Sequence, residues 1–406
     1  MPRLLLLLPA AGYANQDFIA AAARLNIELV ACADYCHRLA PGWGLPPLMS
    51  VPFDQPELAL PQVLAALKQP VDAVLAVDDH GQVLAAQLRV ALRLPGSPPE
   101  AVAILTDKLR FRQLQQSIGL PHPAFAEIKD GDINAAAAPG FPLVVKARRL
   151  NASRGVIRAN DVDQLTRALQ QVQRIQARAQ RDAADLLVER FIPGVEVALD
   201  GVLSSGALRV LAVFDKPDPL DGPFFEETLF ITPSRLPDAT QRELADAVEH
   251  ACVAAGVTEG VIHAEARVND AGVWLLEIAP RGIGGLCGRV LAATLGMDSA
   301  EIVLRHAVGL PLPGQANDSA AGVMMIPIPA SGIFKGVDGL DAARAVPRIS
   351  GIEITAPPGQ LVAPPPEGAG YLGFVFSRAA TPQQAEAALR AAHAALDVRI
   401  QPLVEP

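Results

Sequence analysis

The sequence predicts a multidomain protein of α/β and α+β class, and three observations carry that expectation. A chain of 406 residues is longer than one hydrophobic core ordinarily organises. Its N-terminal segment reads strand–helix–strand with continuous apolar strands, the pattern of a parallel sheet covered on both faces. Later, the stretch VIHAEARVNDAGVWLLEIAPRGIGG (Val261–Gly285) alternates apolar and polar residues around Asn269-Asp270-Ala271-Gly272, as an antiparallel hairpin does.

The first strand lies in MPRLLLLLPAAGYA, which carries an Arg, an apolar run and small residues, as a secretory leader does. The run stops at Pro9, short of the roughly 7–15 apolar residues such a leader needs. The same residues suit a buried strand, followed by a turn and a helix over Asn15–Leu25. A second strand, Ile27–Cys32, ends at Asp34, and a third, Val71–Val77, ends at Asp78-Asp79. No GxGxxG follows the first strand, so a dinucleotide site is not supported. No apolar run reaches the roughly 18 residues of a membrane span.

Composition narrows the function classes. Half the residues are hydrophobic and 19% are charged, which indicates a globular chain. A net charge of −9 opposes a nucleic-acid or anionic-membrane partner, so an anionic substrate would need local Lys and Arg residues. The cysteines, at 32, 36, 252 and 287, make no disulfide framework, consistent with a reducing cytoplasm. Cys32, Cys36 and His37 invite a zinc reading, but no second ligand pair follows.

The chain changes character at Thr106-Asp107-Lys108. Thr106 or Asp107 can cap a helix in which Leu109, Phe111, Leu114 and Ile118 recur at helical spacing, ending at Gly119 with Pro121 beyond. A strand over Phe141–Lys146 ends on a lysine. The loop Arg148–Val156 follows, in which Ser153, Arg154 and Gly155 offer backbone N–H groups and a guanidinium to a phosphate. It lacks the GK[ST] ending of a Walker loop. Beyond the strand Val156–Arg158, a Gln- and Arg-rich helix over Asp161–Arg181 is expected to be largely exposed. The strand Leu186–Phe191 contains Glu189. After Ile192-Pro193-Gly194, the strand Val195–Val202 places Glu196, Ala198 and Asp200 on one face. Glu189 and Glu196 are spaced to bracket a small polar ligand, or are exposed strand residues.

The hairpin holds the most informative pair. His263 and Glu265 share a face, and Glu277 can lie opposite Glu265 across the ladder. Facing like charges repel unless a cation sits between them; the alternative is a solvated hairpin edge. Arg281 follows at the start of a Gly-rich turn, and this set suits a metal-bound phosphate. After Pro311-Leu312-Pro313-Gly314, the segment Ala321–Pro406 shows short strands, a Pro-rich loop (Ala356–Pro366), an alanine-rich helix (Thr381–Leu396) and a strand (Val398–Leu403). It reads as a small α+β appendage.

Taken in order, TDK, VVK, the Ser/Arg/Gly loop, VERFIPGVEVALDG, Glu227-Thr228, HAEARV and LEIAPRGIGGLCGR resemble the ATP-grasp superfamily over roughly residues 104–310. The LEIAPRGIGG version is similar to the L-amino-acid-ligase branch. The resemblance implies an N-terminal parallel α/β (pre-ATP-grasp) domain over 1–104 and an ATP-grasp fold of two α+β subdomains. These are a lid subdomain over 105–190 and a metal-bearing subdomain over 191–310, and the C-terminal α+β subdomain fills 311–406. It further implies a cytoplasmic, ADP-forming ligase that joins amino acids through an acyl phosphate. Its cofactors would be ATP and two Mg²⁺, with Mn²⁺ as a substitute, and its partners small molecules, with a homodimer as the common assembly.

Site roles follow from the same resemblance. Lys108 and Lys146 would reach ATP phosphates, and Ser153–Gly155 would close over them with Arg154 as a neutralising group. Glu189 would accept from the adenine amino group, beside the Phe191-Ile192 backbone, with Val188 and Leu276 sandwiching the ring. Glu196 would take a ribose hydroxyl. Glu265 and Glu277 would hold the metal ions with Glu227, or with Glu226 one register step away. Arg281 would bind the γ-phosphate or a substrate carboxylate with its bidentate fork, beside Gly284 and Gly285. His263 would be a base for the amine or a hydrogen-bonded structural histidine.

Two departures stand out. Ala279 occupies a position where many members carry Asn, and Phe230 one where some place a polar residue, which favours a hydrophobic first substrate. The competing readings are a biotin-carboxylase-like or purine-pathway ligase and a non-catalytic ATP-binding protein. No Met-Lys-Met biotin site is present, and Lys108, Lys146, Glu265, Glu277 and Arg281 together oppose a mere binder.

Overall fold

The computed structural model describes residues 1–10, 12–34, 48–128, 132–179, 185–312, 314–368 and 370–403. Cys36 and His37 of the zinc reading, Pro313 and Arg181 lie outside them. The N-terminal sheet comprises β1 (Arg3–Leu8), β2 (Glu28–Ala33), β3 (Leu48–Ser50) and β4 (Ala73–Ala76), all parallel, in the order β3-β2-β1-β4. The leucine run is a central strand with two buried faces. Leu4, Leu6 and Leu8 join a core that also contains Phe214 and Phe230, while Leu5 and Leu7 pack with Val63 and Leu84. The loops after β1 and β4 flank the point where strand order reverses, and this is where open parallel sheets form a crevice.

A helix over Lys108–Ser117 leads into the second body, with Asp107 capping the amides of Leu109 (3.1 Å) and Arg110 (3.4 Å). This body is an antiparallel sheet of β5 (Phe125–Ile128), β6 (Leu143–Ala147), β7 (Val156–Ala159) and β8 (Leu186–Arg190), ordered β5-β8-β6-β7. The helix Val162–Arg178 packs on it, with Leu165, Ala168, Leu169, Val172 and Ile175 buried. The expectation of a largely exposed helix is therefore corrected. Its Gln and Arg residues lie between apolar positions that recur at helical spacing, and that stripe covers the sheet.

The third body is built on an eight-stranded antiparallel sheet. In chain order its strands are β9 (Val195–Ser204), β10 (Ala207–Lys216), β11 (Leu229–Thr232), β12 (Gly260–Asn269), β13 (Gly272–Ala279) and β14 (Ala320–Ile326). The remaining two come from the C-terminal segment. There, β15 (Gly332–Asp338), β16 (Ile349–Ile354), β17 (Leu361–Val362), β18 (Gly373–Ala379) and β19 (Asp397–Gln401) alternate with short helices. The order is β13-β12-β9-β10-β11-β14-β18-β16, so β14, β18 and β16 continue the central sheet, while β17-β15-β19 form a small separate one. The C-terminal α+β segment thus shares a hydrogen-bonded ladder with its neighbour. On one face of the central sheet, Leu244, Val248 and Ala251 of the helix Asp238–Ala255 meet Leu199, Ile262 and Leu275.

β8 and β9, joined by Phe191-Ile192-Pro193-Gly194, belong to different sheets, so this linker crosses from one body to the next. The hairpin pairs Glu265 with Glu277 and His263 with Ala279, and a β-bulge follows Glu265. Leu165→Ala is expected to cost the lid body about 2–5 kcal/mol. The loss would be read as faster amide exchange across β6 and β7; an unchanged exchange pattern would contradict the packing of this helix.

Candidate functional site

The central sheet assembles carboxylates that are distant in sequence. β9 lies between β10 and β12, with Glu196 opposite both Lys216 and Arg267, and Ala198 opposite Glu265. Glu227 enters from the segment before β11. Oxygens of Glu196, Glu227 and Glu265 lie within 4.8 Å of one another. Between them is the Lys216 ammonium, 3.0 Å from Glu196 Oε1, 3.4 Å from Glu265 Oε1 and in direct contact with Glu227. Burial opposes the charge on Lys216, but Glu227, Glu265 and Glu196 together hold its pKa well above the ordinary lysine range. Burial and the neighbouring Glu265 push the Glu227 carboxyl up to about 7. Burial would raise Glu265 too, but Lys216 and His263 hold it far below the usual carboxylate range.

The grouping of these carboxylates differs from the expected set of Glu227, Glu265 and Glu277. Glu277 faces Glu265 across the ladder, yet its carboxylate pairs with Lys108 Nζ at 3.3 Å. Glu196, expected at a ribose hydroxyl, takes the third place in the cluster and also accepts from Arg267 Nε at 3.2 Å. Glu226 is directed elsewhere: its Oε1 is buried without a partner, and it is not in the cluster. Three hard oxygen donors converging on one point fit Mg²⁺ or Mn²⁺ chemically.

His263 lies beside this cluster. Its Nδ1 is 2.7 Å from Asp200 Oδ1, its Nε2 is 3.5 Å from Glu265 Oε1, and Asp200 also accepts from the Ile283 amide at 3.3 Å. Burial disfavours the imidazolium, but Asp200 and Glu265 raise its pKa to about 9. With Asp200 at one ring nitrogen and Glu265 at the other, the contacts of His263 fit the reading of a hydrogen-bonded structural histidine.

A second charged cluster sits at the lid. Glu189 is ion-paired with Lys146 Nζ at 2.6 Å and with Arg112 Nε at 2.7 Å, and its Oε2 accepts from Arg112 Nη2 at 3.4 Å. Arg112 is fully buried and also donates to the Leu276 carbonyl at 2.7 Å. Burial would raise Glu189, but the two cations keep it below the usual range; burial and Arg112 lower Lys146, with Glu189 opposing. Both Glu189 oxygens therefore face cations, where an adenine amine was expected. Lys108 Nζ donates to the Leu150 carbonyl at 2.7 Å, fixing the loop that follows β6.

Lys108, Lys146, Glu189, Glu196, Glu227, Glu265 and His263 line one cavity of about 670 Å³ between the three bodies. Val144, Phe191, Phe225 and Leu276 form its apolar wall at the lid, and Phe191 stacks near Phe225 with centroids 6.4 Å apart. Val188, expected in that wall, packs into the lid core instead; Val144 pairs with Glu189 across the ladder and takes the cavity face. The two differ by strand parity, which sequence alone does not resolve. Ile192, Ser153, Gly284 and Gly285 are among the lining residues. Arg154 and Gly155 do not line the cavity, and the Gly155 amide donates to the Pro366 carbonyl at 3.3 Å.

Arg281 is held from the N-terminal domain. Its Nε and Nη2 donate to the two oxygens of Asp79 at 2.8 and 2.6 Å, and its Nη1 donates to the Gly282 carbonyl at 2.9 Å. Asp79 also accepts from Asn151 of the lid loop at 3.2 Å. The bidentate edge expected to bind an anion is thus engaged by Asp79. Gly285 has φ +64°, and a Cβ there would come within 3.0 Å of the Phe374 ring, so only glycine lets this turn approach.

Sequence reasoning placed Asp79 and Asp200 without giving them a site role, and did not single out Lys216, Arg112 or Arg267. A signal existed for Lys216: VLAVFDK ends an apolar strand on a lysine, just as FPLVVK does for Lys146.

Residues 139–290 match the ATP-grasp domain family, and residues 324–401 match the L-amino acid ligase C-terminal domain 2. The chain thus contains a region that matches an ATP-grasp domain and one that matches an L-amino acid ligase C-terminal domain. It is 32% identical to carnosine synthase 1 of Gallus gallus over 63% of this chain and 30% of that protein. It is 31% identical to a D-alanine–D-alanine ligase of Pseudomonas putida over 52% of this chain and 65% of that protein. The chain therefore spans less than two thirds of these curated relatives. Its structure superposes on an L-amino acid ligase from Bacillus licheniformis with a TM-score of 0.81 at 24% identity, covering 99% of both chains. It also superposes on N5-carboxyaminoimidazole ribonucleotide synthetase from Thermotoga maritima with a TM-score of 0.75 at 16% identity, over 99% of this chain and 100% of that one. These two likenesses concern the fold alone. Among the described residues, no helix is long and apolar enough to cross a membrane.

The His263 contacts carry a pH signature. Its folded pKa is raised, so its contribution to stability is complete below about 6.5 and is lost as pH rises through about 9. Thermal melting of the metal-free protein is expected to fall between pH 7 and 9, and His263→Gln to flatten that slope. An equal slope in both proteins would contradict this arrangement.

Proposed function

We propose that the chain is an ATP-dependent carboxylate–amine ligase that joins two amino acids through an acyl phosphate, releasing ADP and phosphate. The observation that carries this reading is the convergence of Glu196, Glu227 and Glu265 with Lys108, Lys146 and Arg281 on one cavity walled by three bodies. The match to an L-amino acid ligase C-terminal domain favours amino acids over bicarbonate or a purine precursor as substrates.

In the first step a carboxylate oxygen attacks the γ-phosphorus and the bond to the β-phosphate oxygen breaks, giving an acyl phosphate and ADP. In the second, the ammonium first loses a proton to solvent, its nitrogen attacks the acyl carbon, and the bond to phosphate breaks, the nitrogen's second proton leaving to the departing phosphate. A carboxylate approaching a triphosphate meets like-charge repulsion, roughly 4 kcal/mol per pair of unit charges about 4 Å apart at an effective dielectric of 20. Lys108, Lys146 and Arg281 supply fixed positive charge against it, and the apolar wall of Val144, Phe191 and Leu276 suits a purine ring. Glu196, Glu227 and Glu265 would hold Mg²⁺, whose chemistry is to neutralise phosphate oxygens. His263, kept charged by Asp200, maintains Glu265 as a carboxylate. Ser153, whose backbone is left-handed (φ +53°), sits in the loop that shields the cavity from water.

Phosphate release over a matrix of L-amino-acid pairs is expected to show synergy between one carboxyl donor and one amine donor. Release that is indifferent to amino acids, or absent with every pair, would remove the assignment. Glu265→Gln is expected to lower turnover by about 100-fold or more, the scale of losing one charge-stabilising group. Glu277→Gln should cost less, because its partner is Lys108. The reverse ranking would restore Glu277 to the metal set.

A further inference from the structure

We infer that Tyr371 is the specificity-determining residue of an apolar end of the cavity, which takes an uncharged side chain of the carboxyl-donating amino acid. Tyr371 is carried by the C-terminal segment, just before β18, and is held in place by Tyr13 of the N-terminal domain. The inference rests on the proposed ligase reading and names a substrate class for it.

The carboxylate cluster borders an apolar wall of Tyr13, Phe230, Leu286, Cys287, Met325 and Tyr371, all of which line the cavity. Phe230, Leu286, Cys287 and Met325 are at most 3% exposed and belong to one apolar cluster, against which Tyr13 and Tyr371 pack. Asp17 and Arg289 also line the cavity, but they neutralise each other through contacts of 2.8 and 2.7 Å. A carboxylate in line with a γ-phosphate must stand among the phosphate-binding charges. Its side chain is then the part that reaches the adjoining apolar wall.

Tyr371 is fixed through its main chain. The Tyr13 hydroxyl accepts from the Tyr371 amide at 2.9 Å and donates to the Tyr371 carbonyl at 3.3 Å. A Cβ on Gly370 would come within 3.2 Å of that hydroxyl oxygen, so glycine there leaves it room. Phe374 braces both tyrosines, edge-on to Tyr13 with centroids 5.2 Å apart and tilted to Tyr371 at 6.3 Å. The same Phe374 ring lies against Gly285, which ties this wall to the turn after Arg281. Burial and the nearby Glu227 carboxylate hold the Tyr371 phenol well above its ordinary pKa, and burial raises the Cys287 thiol. Surroundings that keep a phenol and a thiol neutral penalise an ionised ligand side chain for the same reason.

The test is hydroxylamine trapping of the acyl phosphate, which replaces the amine substrate and so reads the carboxyl donor alone. With ATP, the wild type is expected to use valine, leucine and phenylalanine with a kcat/KM about tenfold or more above that for aspartate or lysine. Tyr371→Ala, which opens the wall, should raise the phenylalanine-to-valine ratio of kcat/KM by about tenfold or more, and Tyr371→Trp should lower it. Tyr13→Phe, which frees the Tyr371 main chain, should move that ratio in the same direction as Tyr371→Ala without raising KM for ATP. Where Tyr371→Ala fails to fold, Tyr371→Leu reads the same shift. Equal losses for every amino acid in these variants, or a wild type that prefers aspartate or lysine, would overturn the specificity role and leave the ligase reading standing. Hydroxamate from no amino acid at all would overturn this inference and the acyl-phosphate step of that reading together.

Discussion

Carboxylates that share one face of a buried sheet can stay ionised only beside a compensating positive charge, and much of this molecule is arranged around that requirement. Glu196, Glu265 and Glu227 meet because two strands and one connecting segment converge, and Lys216 answers them from the strand between Glu196 and Glu227 in the chain. The same logic is repeated at the lid, where Glu189 stands between Lys146 and Arg112, and at the N-terminal crevice, where Asp79 faces Arg281. Breaking one partner of such a pair leaves an uncompensated charge away from water, which costs far more than the pair contributes. These clusters are therefore poor places to gain stability and good places to hold groups at fixed separations, which is what phosphoryl chemistry requires.

The central sheet makes this possible by its order. β9 carries Glu196 and lies between β10 with Lys216 and β12 with Glu265, although β10 and β12 are far apart in the chain. The C-terminal strands β14, β18 and β16 extend the same ladder, so the far end of the chain is tied to the strands that carry the charged groups. Met325 and Tyr371 from this segment line the cavity, which places part of its wall under the control of a domain outside the grasp itself.

What was legible in the sequence follows from period and turn chemistry. Alternation plus Asn269-Asp270-Ala271-Gly272 predicts a hairpin with Glu265 opposite Glu277, and the structure has that register. The leucine run, the cap at Asp107 and the order of motifs that resembles the ATP-grasp superfamily were readable too. Strand neighbours were not. That β9 sits beside β12 is a matter of topology, so nothing local could show Glu196 grouped with Glu265 and Glu227. Parity failed at β8, where an apolar run hides which residue faces the cavity, and Val144 rather than Val188 does. The helix over Val162–Arg178 was misjudged because its composition is polar while its spacing is not.

Asp79 makes the N-terminal domain more than a shoulder for the other two bodies. One carboxylate receives both the guanidinium of Arg281 and the amide side chain of Asn151, so groups from all three bodies meet at a single side chain. A chimaera that exchanged residues 1–104 for an equivalent domain without an acid at that crevice would keep every strand of the grasp and still release the arginine and the loop together.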